Sequence, residues 1–424
     1  QSSGGYISNN RLEVFEDKRY QYDAFGNMSL SHSSFPYSVI KTETREEFGQ
    51  EDTLNSWAYL DGTGRELGMI QEDDNGYILT GAKRFNAKGS EQYVFEPVQL
   101  SQFEYPSLYL NTPHTEMTYD ANDRNVYSRS PEDKDGVRYD SFNQYKPLQT
   151  LATDANGNAS VSEQDGLGRS VLSEEHNKGD VYFTYYVYDA IGNLSSVTDA
   201  QNNIKQIEYD GLNRKVYMSD PDNGETHYRY DNNNNLAQVT DNKNQVIEYA
   251  YDAANRPIKE DFLGQPGVEV SYQYDSASSD YPSATNLKGA LVAITDSSGS
   301  VFHSYNARGK SNWHVKRVNG EDFRFSSSFD AMDRPVNQTW PDGEAISYQY
   351  NNRGLLKSIP NFVNHISYQV AGQIKHLKLA NGTETNYSFD KRQRLISLSS
   401  LSASQTEFQK LSYQYDALNN IQNI

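Results

Sequence analysis

The sequence predicts an all-β fold in which tandem β-hairpin repeats join into one long, curled antiparallel sheet. Three observations carry this. A Tyr-Asp unit recurs along the chain, at a spacing of 21 residues where it is clearest. Helical periodicity is nearly absent, with at most one turn of helix at Thr44-Arg45-Glu46-Glu47-Phe48. The composition supplies rings rather than aliphatic bulk: 33 Tyr, 17 Phe and 3 Trp stand in a chain that is only 36% apolar, against about 45–50% in ordinary globular domains. Disordered chains are poor in aromatics, so this chain folds, but with a thin core.

The repeat is read most directly from Tyr188-Asp189-Ala190-Ile191-Gly192-Asn193. Equivalent units begin at Tyr209-Asp210-Gly211 (ending in Arg214), Tyr230-Asp231 and Tyr251-Asp252 (ending in Arg256), each 21 residues after the last, and Tyr274-Asp275 follows after 23. Related forms are Tyr22-Asp23, Tyr119-Asp120, Tyr139-Asp140, Phe329-Asp330, Tyr350-Asn351, Phe389-Asp390 and Tyr415-Asp416. Within one unit, Ile207-Glu208-Tyr209 and Lys215-Val216-Tyr217-Met218 are short β-branched and aromatic runs. They flank Asp210 to Arg214, where Asp, Gly and Asn supply turn chemistry. Ser219 to Gly224 makes a second turn, and Thr226-His227-Tyr228-Arg229-Tyr230 alternates with period two. Each unit is therefore two strands and two turns, and Gly192, Gly211 and Gly224 are the candidates for positive φ. The pairs Tyr228/Tyr230, Tyr249/Tyr251, Tyr272/Tyr274 and Tyr348/Tyr350 fall on one face, aligned across strands as ladders that include Tyr209.

A single hairpin is not stable alone, so the units must stack on one another. A sheet of this many strands accumulates twist and curls. Too few large aliphatics are present to fill a sandwich, which leaves a curl around an open interior. Residues 1–115 keep the strand-and-turn style without the 21-residue period and read as a lead segment, and 116–424 read as the repeat sheet, clearest over 188–275. Phe103 to Pro113 is the candidate linker. The start, Gln1 to Gly5, and a unit that opens at Tyr415 and stops at Ile424 read as a piece of a longer protein.

The balance of 38 basic and 57 acidic residues, net −19, disfavours nucleic acid and anionic membranes as partners. With no Cys, disulfide frameworks, zinc ribbons and thiol nucleophiles are excluded. Carboxylates that would pair for acid–base chemistry are Asp133 with Asp135 and Glu174 with Glu175. Asp133 to Gly136 and Asp154 to Asn158 offer oxygens at alternate positions for calcium, but neither has the later bidentate Glu, and β-turns account for both. The eight His, at 32, 114, 176, 227, 303, 314, 365 and 376, show no ligand spacing. Neither a Gly-x-Ser-x-Gly elbow nor a phosphate loop is present, and Gly62-Thr63-Gly64 lacks the third Gly of a dinucleotide site. No catalytic residue, cofactor or metal is assigned. Exposed Tyr rows would also suit stacking on sugars.

The Tyr-Asp…Gly/Asn…Arg units resemble the YD repeats of bacterial RHS proteins over roughly 119–424. The lead segment is similar to the SpvB-like region of Tc toxin B components through Asp61-Gly62-Thr63-Gly64-Arg65, Phe85 to Gly89, and Tyr93 to Pro97. The resemblance implies a hollow β-shell enclosing a toxic C-terminal domain, built in Tc toxins by B and C components together. It also implies secretion, and two partners: the enclosed toxin polypeptide and the rest of the shell, without direct membrane insertion. The family links an Asp-Pro-x-Gly motif to aspartyl autoproteolysis. Asp220-Pro221-Asp222-Asn223-Gly224 has its Gly one position late and sits inside a regular repeat, so that activity is not carried over. The expected role is a non-catalytic shell segment. The alternatives are a surface adhesin binding carbohydrate through Tyr and, more weakly, a carboxylate hydrolase.

Overall fold

A computed structural model describes residues 6–8, 11–15, 18–19, 38–45, 53–103, 111–177, 179–264, 267 and 269–424. Gln1 to Gly5, Tyr22-Asp23, residues 46–48 and most of the expected linker, 104–110, lie outside the described residues. Those described form strands and turns, with no helix among them. The expected helical turn is corrected where it can be seen. Thr44 and Arg45 end the strand Ser38–Arg45 and pair with Leu54 and Thr53. The alternating β-branched residues Ile40, Thr42 and Thr44 sit in an eight-residue antiparallel register, which outweighs a short charged run.

Twenty-three strands join in one sheet. It runs from Lys83–Phe85 through Glu91–Phe95 and His114–Tyr119, then takes every strand in chain order to Ala345–Ser347. Neighbours are antiparallel throughout this run, as hairpins joined by short turns require. The strand order closes on itself as a barrel. Ala345–Ser347 stands next to Lys83–Phe85 in that order, so the ribbon curls until its two ends meet. A five-stranded sheet, from Ser38–Arg45 to Val98–Leu100, precedes it, and a second one, Val363–Tyr368 to Glu407–Ser412, follows. The position 115/116 falls inside the strand His114–Tyr119, and two strands of the lead segment belong to the large sheet.

Among the described residues, apolar burial is concentrated in two places, with Ile366 and Ala417 buried apart from them. Val39, Trp57, Tyr59, Ile70, Leu79, Ala82 and Phe95 form the core of the first five-stranded sheet. The second lies where the 21-residue period breaks. Residues 275–290 replace a five-residue turn between Tyr274 and Leu291 and fold back over the sheet. Tyr281 packs 4.7 Å from Phe302 and 5.8 Å from Trp313, ring centre to ring centre. Phe302, Trp313, Val315 and Ser304 are buried beneath it.

The curl is fixed by bonds between residues far apart in sequence. Asn352 N donates to Asp74 Oδ1, Lys391 pairs with Glu132, and Asn156 bonds both Asp416 and Ala417 N, at separations of 278, 259, 260 and 261 residues. These similar separations mean that the ribbon returns to its own edge after one revolution and advances by one coil.

Candidate functional site: the repeat turn and the coil seam

The turns that open at Asp189, Asp210, Asp231 and Asp252 are each organised by that carboxylate, whereas Asp140 begins a strand and pairs with Arg129, and Asp275 accepts from Gly289 N and Arg256. Asp210 Oδ1 accepts from Leu212 N at 2.9 Å and Arg214 N at 3.0 Å, while Oδ2 takes Arg214 Nε at 2.7 Å. The same bonds recur at Asp189, Asp231 and Asp252, with Asn193 and Asn235 replacing Arg in two of them. The fourth residue of each turn has positive φ: Gly192 at 100°, Asn213 at 63°, Asn234 at 69° and Asn255 at 59°. Together these make a type I turn closed by a bulge, in which Gly or Asn meets the left-handed requirement. Gly192 and Gly224 have positive φ as expected. Gly211 does not, because it occupies the second position, and Asn213 carries the left-handed residue instead. The Arg214 side chain, then its backbone amide, hold Asp210 below the usual carboxylate range. Asp231 is lowered first by Asn235, and Asp252 first by the Arg256 amide.

The turns are linked end to end. Asn193 Nδ2 reaches Asn213 Oδ1 at 3.2 Å, Arg214 Nη1 reaches Asn234 Oδ1 at 2.8 Å, and Asn235 Nδ2 reaches Asn255 Oδ1 at 3.0 Å. Arg256 Nη2 then reaches Asp275 Oδ2 at 2.5 Å. Each Arg also lies over the Tyr of the next unit: Arg169 over Tyr188 at 4.6 Å, Arg214 over Tyr230 at 4.7 Å and Arg256 over Tyr274 at 4.3 Å. The hydroxyls of Tyr209, Tyr230 and Tyr251 donate to the carbonyls of Leu194, Lys215 and Leu236, each 15 residues earlier. One relation repeated three times places these rings at equivalent points of successive hairpins. The registers Ile207↔Met218↔Thr226 and Tyr228↔Val239↔Ile247 put Tyr228 and Tyr249 on that same face.

At the seam between coils, Lys391 Nζ meets Glu132 at 2.5 Å, and Arg392 covers the Tyr139 ring at 4.9 Å. Arg394 holds the buried Asp390 at 2.7 Å and lies 3.9 Å from the buried Asp133. This polar cluster joins residues that no spacing in the sequence connects.

The remaining candidates have local structural roles. Asp133 Oδ1 accepts from Asp135 N and Val137 N, and its Oδ2 accepts from Tyr139 Oη, while the Asp135 carboxylate pairs with Lys134. Asp154 is likewise bonded to Asn156 N and Asn158. Glu174 faces Phe183 and Glu175 faces Tyr182 in the register, so the two carboxylates point to opposite sides of the sheet and do not pair. Asp220 is taken by Lys205 at 2.8 Å and by the amides of Asp222 and Asn223. Among the described residues, no group of three or more His, Asp or Glu is placed to hold a metal. The sequence reading missed that His303 and His314 are register partners, with rings 6.1 Å apart, and that His365 and His376 lie 6.5 Å apart. The hairpin around Asn306 to Lys310 was the signal for the first pair. A cavity of about 670 Å³ opens beside the seam, lined among others by Asn143, Asn156, Glu175, Tyr182, Leu418 and Asn420.

Residues 230–261 match the family model of the RHS repeat. The chain also superposes on the solved TcdB2–TccC3 complex with a TM-score of 0.84, over 99% of this chain and 25% of that one, at 16% identity. The fold is that of the Tc toxin structures. TcdB2–TccC3 without its hypervariable C-terminal region matches at a TM-score of 0.80, 17% identity and 90% coverage of this chain, 22% of that one. The Photorhabdus luminescens Tc holotoxin pore, with a TccC3 variant, matches at 0.77, 16% and 90%, again 22% of that chain. The chain thus spans about a quarter or less of the length of the solved chains it matches. No curated protein matches it by sequence.

Proposed function

We propose that this chain is a wall segment of a secreted RHS/Tc-type toxin, curled with the rest of its shell around a payload polypeptide. The observation that carries this is the return of the ribbon to its own edge after one revolution, held by Lys391–Glu132 and by Asn156 with Asp416 and Ala417. A sheet that coils on itself encloses space without a filled core, and this one spends its side chains on linking turn to turn. The repeat residues Tyr188, Asp189, Gly192, Tyr209, Asp210, Gly211, Arg214, Tyr230, Asp231, Tyr251, Asp252, Arg256, Tyr274 and Asp275 then act as the wall's structural elements, not as a catalytic or cofactor site. The Tyr ladders argue against the adhesin alternative: hydroxyls of Tyr209, Tyr230 and Tyr251 are bonded to backbone, and an Arg already lies over the rings of Tyr188, Tyr230 and Tyr274. Electron microscopy of the full-length protein tests the proposal. A hollow body is expected, with the payload resistant to protease until the wall is unfolded. A solid particle, or a payload cut as fast as the free polypeptide, overturns it.

A further inference from the structure

Five Asn-Gly steps occur in the sequence, at Asn75, Asn156, Asn223, Asn319 and Asn381. All five asparagines are exposed and lie in turns between strands. Such a step has a covalent weakness. The glycine amide nitrogen attacks the asparagine Cγ, and a glycine has no Cβ to obstruct the approach. An N–C bond forms, the side-chain nitrogen leaves as ammonia, and a succinimide ring remains. Water then adds to either ring carbonyl and opens the ring to Asp or isoAsp. No reactant other than water is needed.

Asn156 differs from the others in what its side chain holds. Its Nδ2 donates to Asp416 Oδ2 at 3.0 Å, and its Oδ1 accepts from Ala417 N at 3.2 Å, across 260 and 261 residues. The side chains of Asn223 and Asn381 bond within their own turns, to Asp220 and to Thr383 N. The attacking nitrogen, Gly157 N, donates to Asp154 O at 3.0 Å, but Gly382 N makes the same turn bond to Leu379 O. The clamp on the carboxamide from another coil is therefore what sets Asn156 apart. The product does not fit the place of the reactant. Asp416 is charged at neutral pH, held down to about 2, first by Asn420. A carboxylate at 156 sets two like charges where a hydrogen bond stood. IsoAsp also adds a backbone methylene inside a turn whose amides at 156, 157 and 158 all bond to Asp154.

We infer that Asn156 is a deamidation site gated by the seam. Its amide survives while residues 154–158 and 416–420 are in contact and hydrolyses once they part, and the acid so formed opposes their rejoining. Opening at this point is then one-way. The inference rests on the contact between the two turns and not on what the wall encloses.

Peptide mass spectrometry of the full-length protein, incubated at mildly alkaline pH, tests this. Each Asn-Gly step is followed as its rate relative to the same step in the urea-unfolded chain. In the native chain Asn156 should be protected more strongly than Asn75 and Asn319. Asp416→Ala should speed conversion of Asn156 by about tenfold or more, the scale on which a hydrogen bond to a charged group acts, and leave Asn75, Asn223 and Asn319 unchanged. Equal native protection at all five steps, or an Asp416→Ala chain that converts Asn156 no faster, overturns the inference. A variant that loses its fold speeds all five together, and the native comparison then decides. Hydrogen exchange reads the one-way step. Asn156→Asp should speed exchange of the 416–420 amides, and adding Asp416→Asn should slow it again, because the carboxylate at 156 then accepts from an amide. Unchanged exchange in Asn156→Asp, or a loss that the second substitution does not correct, overturns that step. None of these failures touches the hollow-body test of the wall reading.

Discussion

Arg256 leaves its own repeat to pair with Asp275 of the next, Nη2 to Oδ2 at 2.5 Å, while its Nε keeps Asp252 at 2.7 Å. One guanidinium therefore closes a turn, ties it to its neighbour and lies over Tyr274. Only a planar fork with several donors does all three. The Arg256→Lys variant should keep the charge and lose most of the benefit, with a melting temperature close to that of Arg256→Ala and below that of the native chain. A Lys variant that melts with the native chain would show that charge alone suffices.

Glycine placement gives a paired prediction. Gly192 has φ of 100°, and Gly192→Val should cost about 1–3 kcal/mol, because a β-branched residue is strained there. Gly211 lies outside that region, and a Cβ built on it meets nothing within 4 Å. Gly211→Ala should be neutral or stabilising by up to about 1 kcal/mol through the unfolded chain. Urea unfolding of the two variants decides. Equal destabilisation by both would place the left-handed residue wrongly.

The seam offers a contrast between buried and exposed pairs. Side chains of Asp390 and Arg394 are 0% and 9% exposed, whereas Glu132 and Lys391 are 44% and 56% exposed. Arg394→Met leaves two buried carboxylates without their cation and should destabilise by about 3–5 kcal/mol. Lys391→Ala should cost at most about 1 kcal/mol. Chemical denaturation measures both, and a mild Arg394→Met would mean that water reaches Asp390.

What was legible in the sequence was what is local. The Asp-x-x-Gly/Asn-Arg turn is built from bonds spanning two and four residues, so Asp210 and Arg214 announce it. Its left-handed residue is fixed by distance from the Asp, which is why Gly211 misled and Asn213 did not stand out. Strand period two implied the all-β fold, and the same rule, applied to neighbours, separates Glu174 from Glu175. The charged run after Thr44 suggested helix because its strand partner, Thr53–Leu60, lies beyond it. Nothing local encodes the pairing of Lys391 with Glu132 or of Asn156 with Asp416, because those bonds depend on the summed twist of some dozen hairpins. The fold-back of 275–290 over Phe302 and Trp313 left only one trace, the break in the 21-residue period.

Acid should destabilise the protein in two stages. His303 and His314 are cross-strand partners, and burial pushes both below the ordinary imidazole value, with His314 adding to the effect on His303. An unfolded imidazole titrates near pH 6.5. Below that pH the unfolded chain binds protons that the folded chain resists, so stability is full above about pH 6.5 and falls as pH drops through the lower folded values. The turn carboxylates act further down. Asp275 is held down to about 2, first by Arg256 and then by the Gly289 amide, and Asp210, Asp231 and Asp252 are lowered in the same direction. Their contribution is present above the unfolded carboxylate value, about 3.9, and is lost as pH falls towards about 2. The melting temperature should therefore decline below pH 6.5 and again below pH 4. The double variant His303→Gln, His314→Gln should reduce the upper decline and leave the lower one. Calorimetry from pH 8 to pH 2.5 checks this, and an upper decline unchanged in the double variant would assign it to other groups.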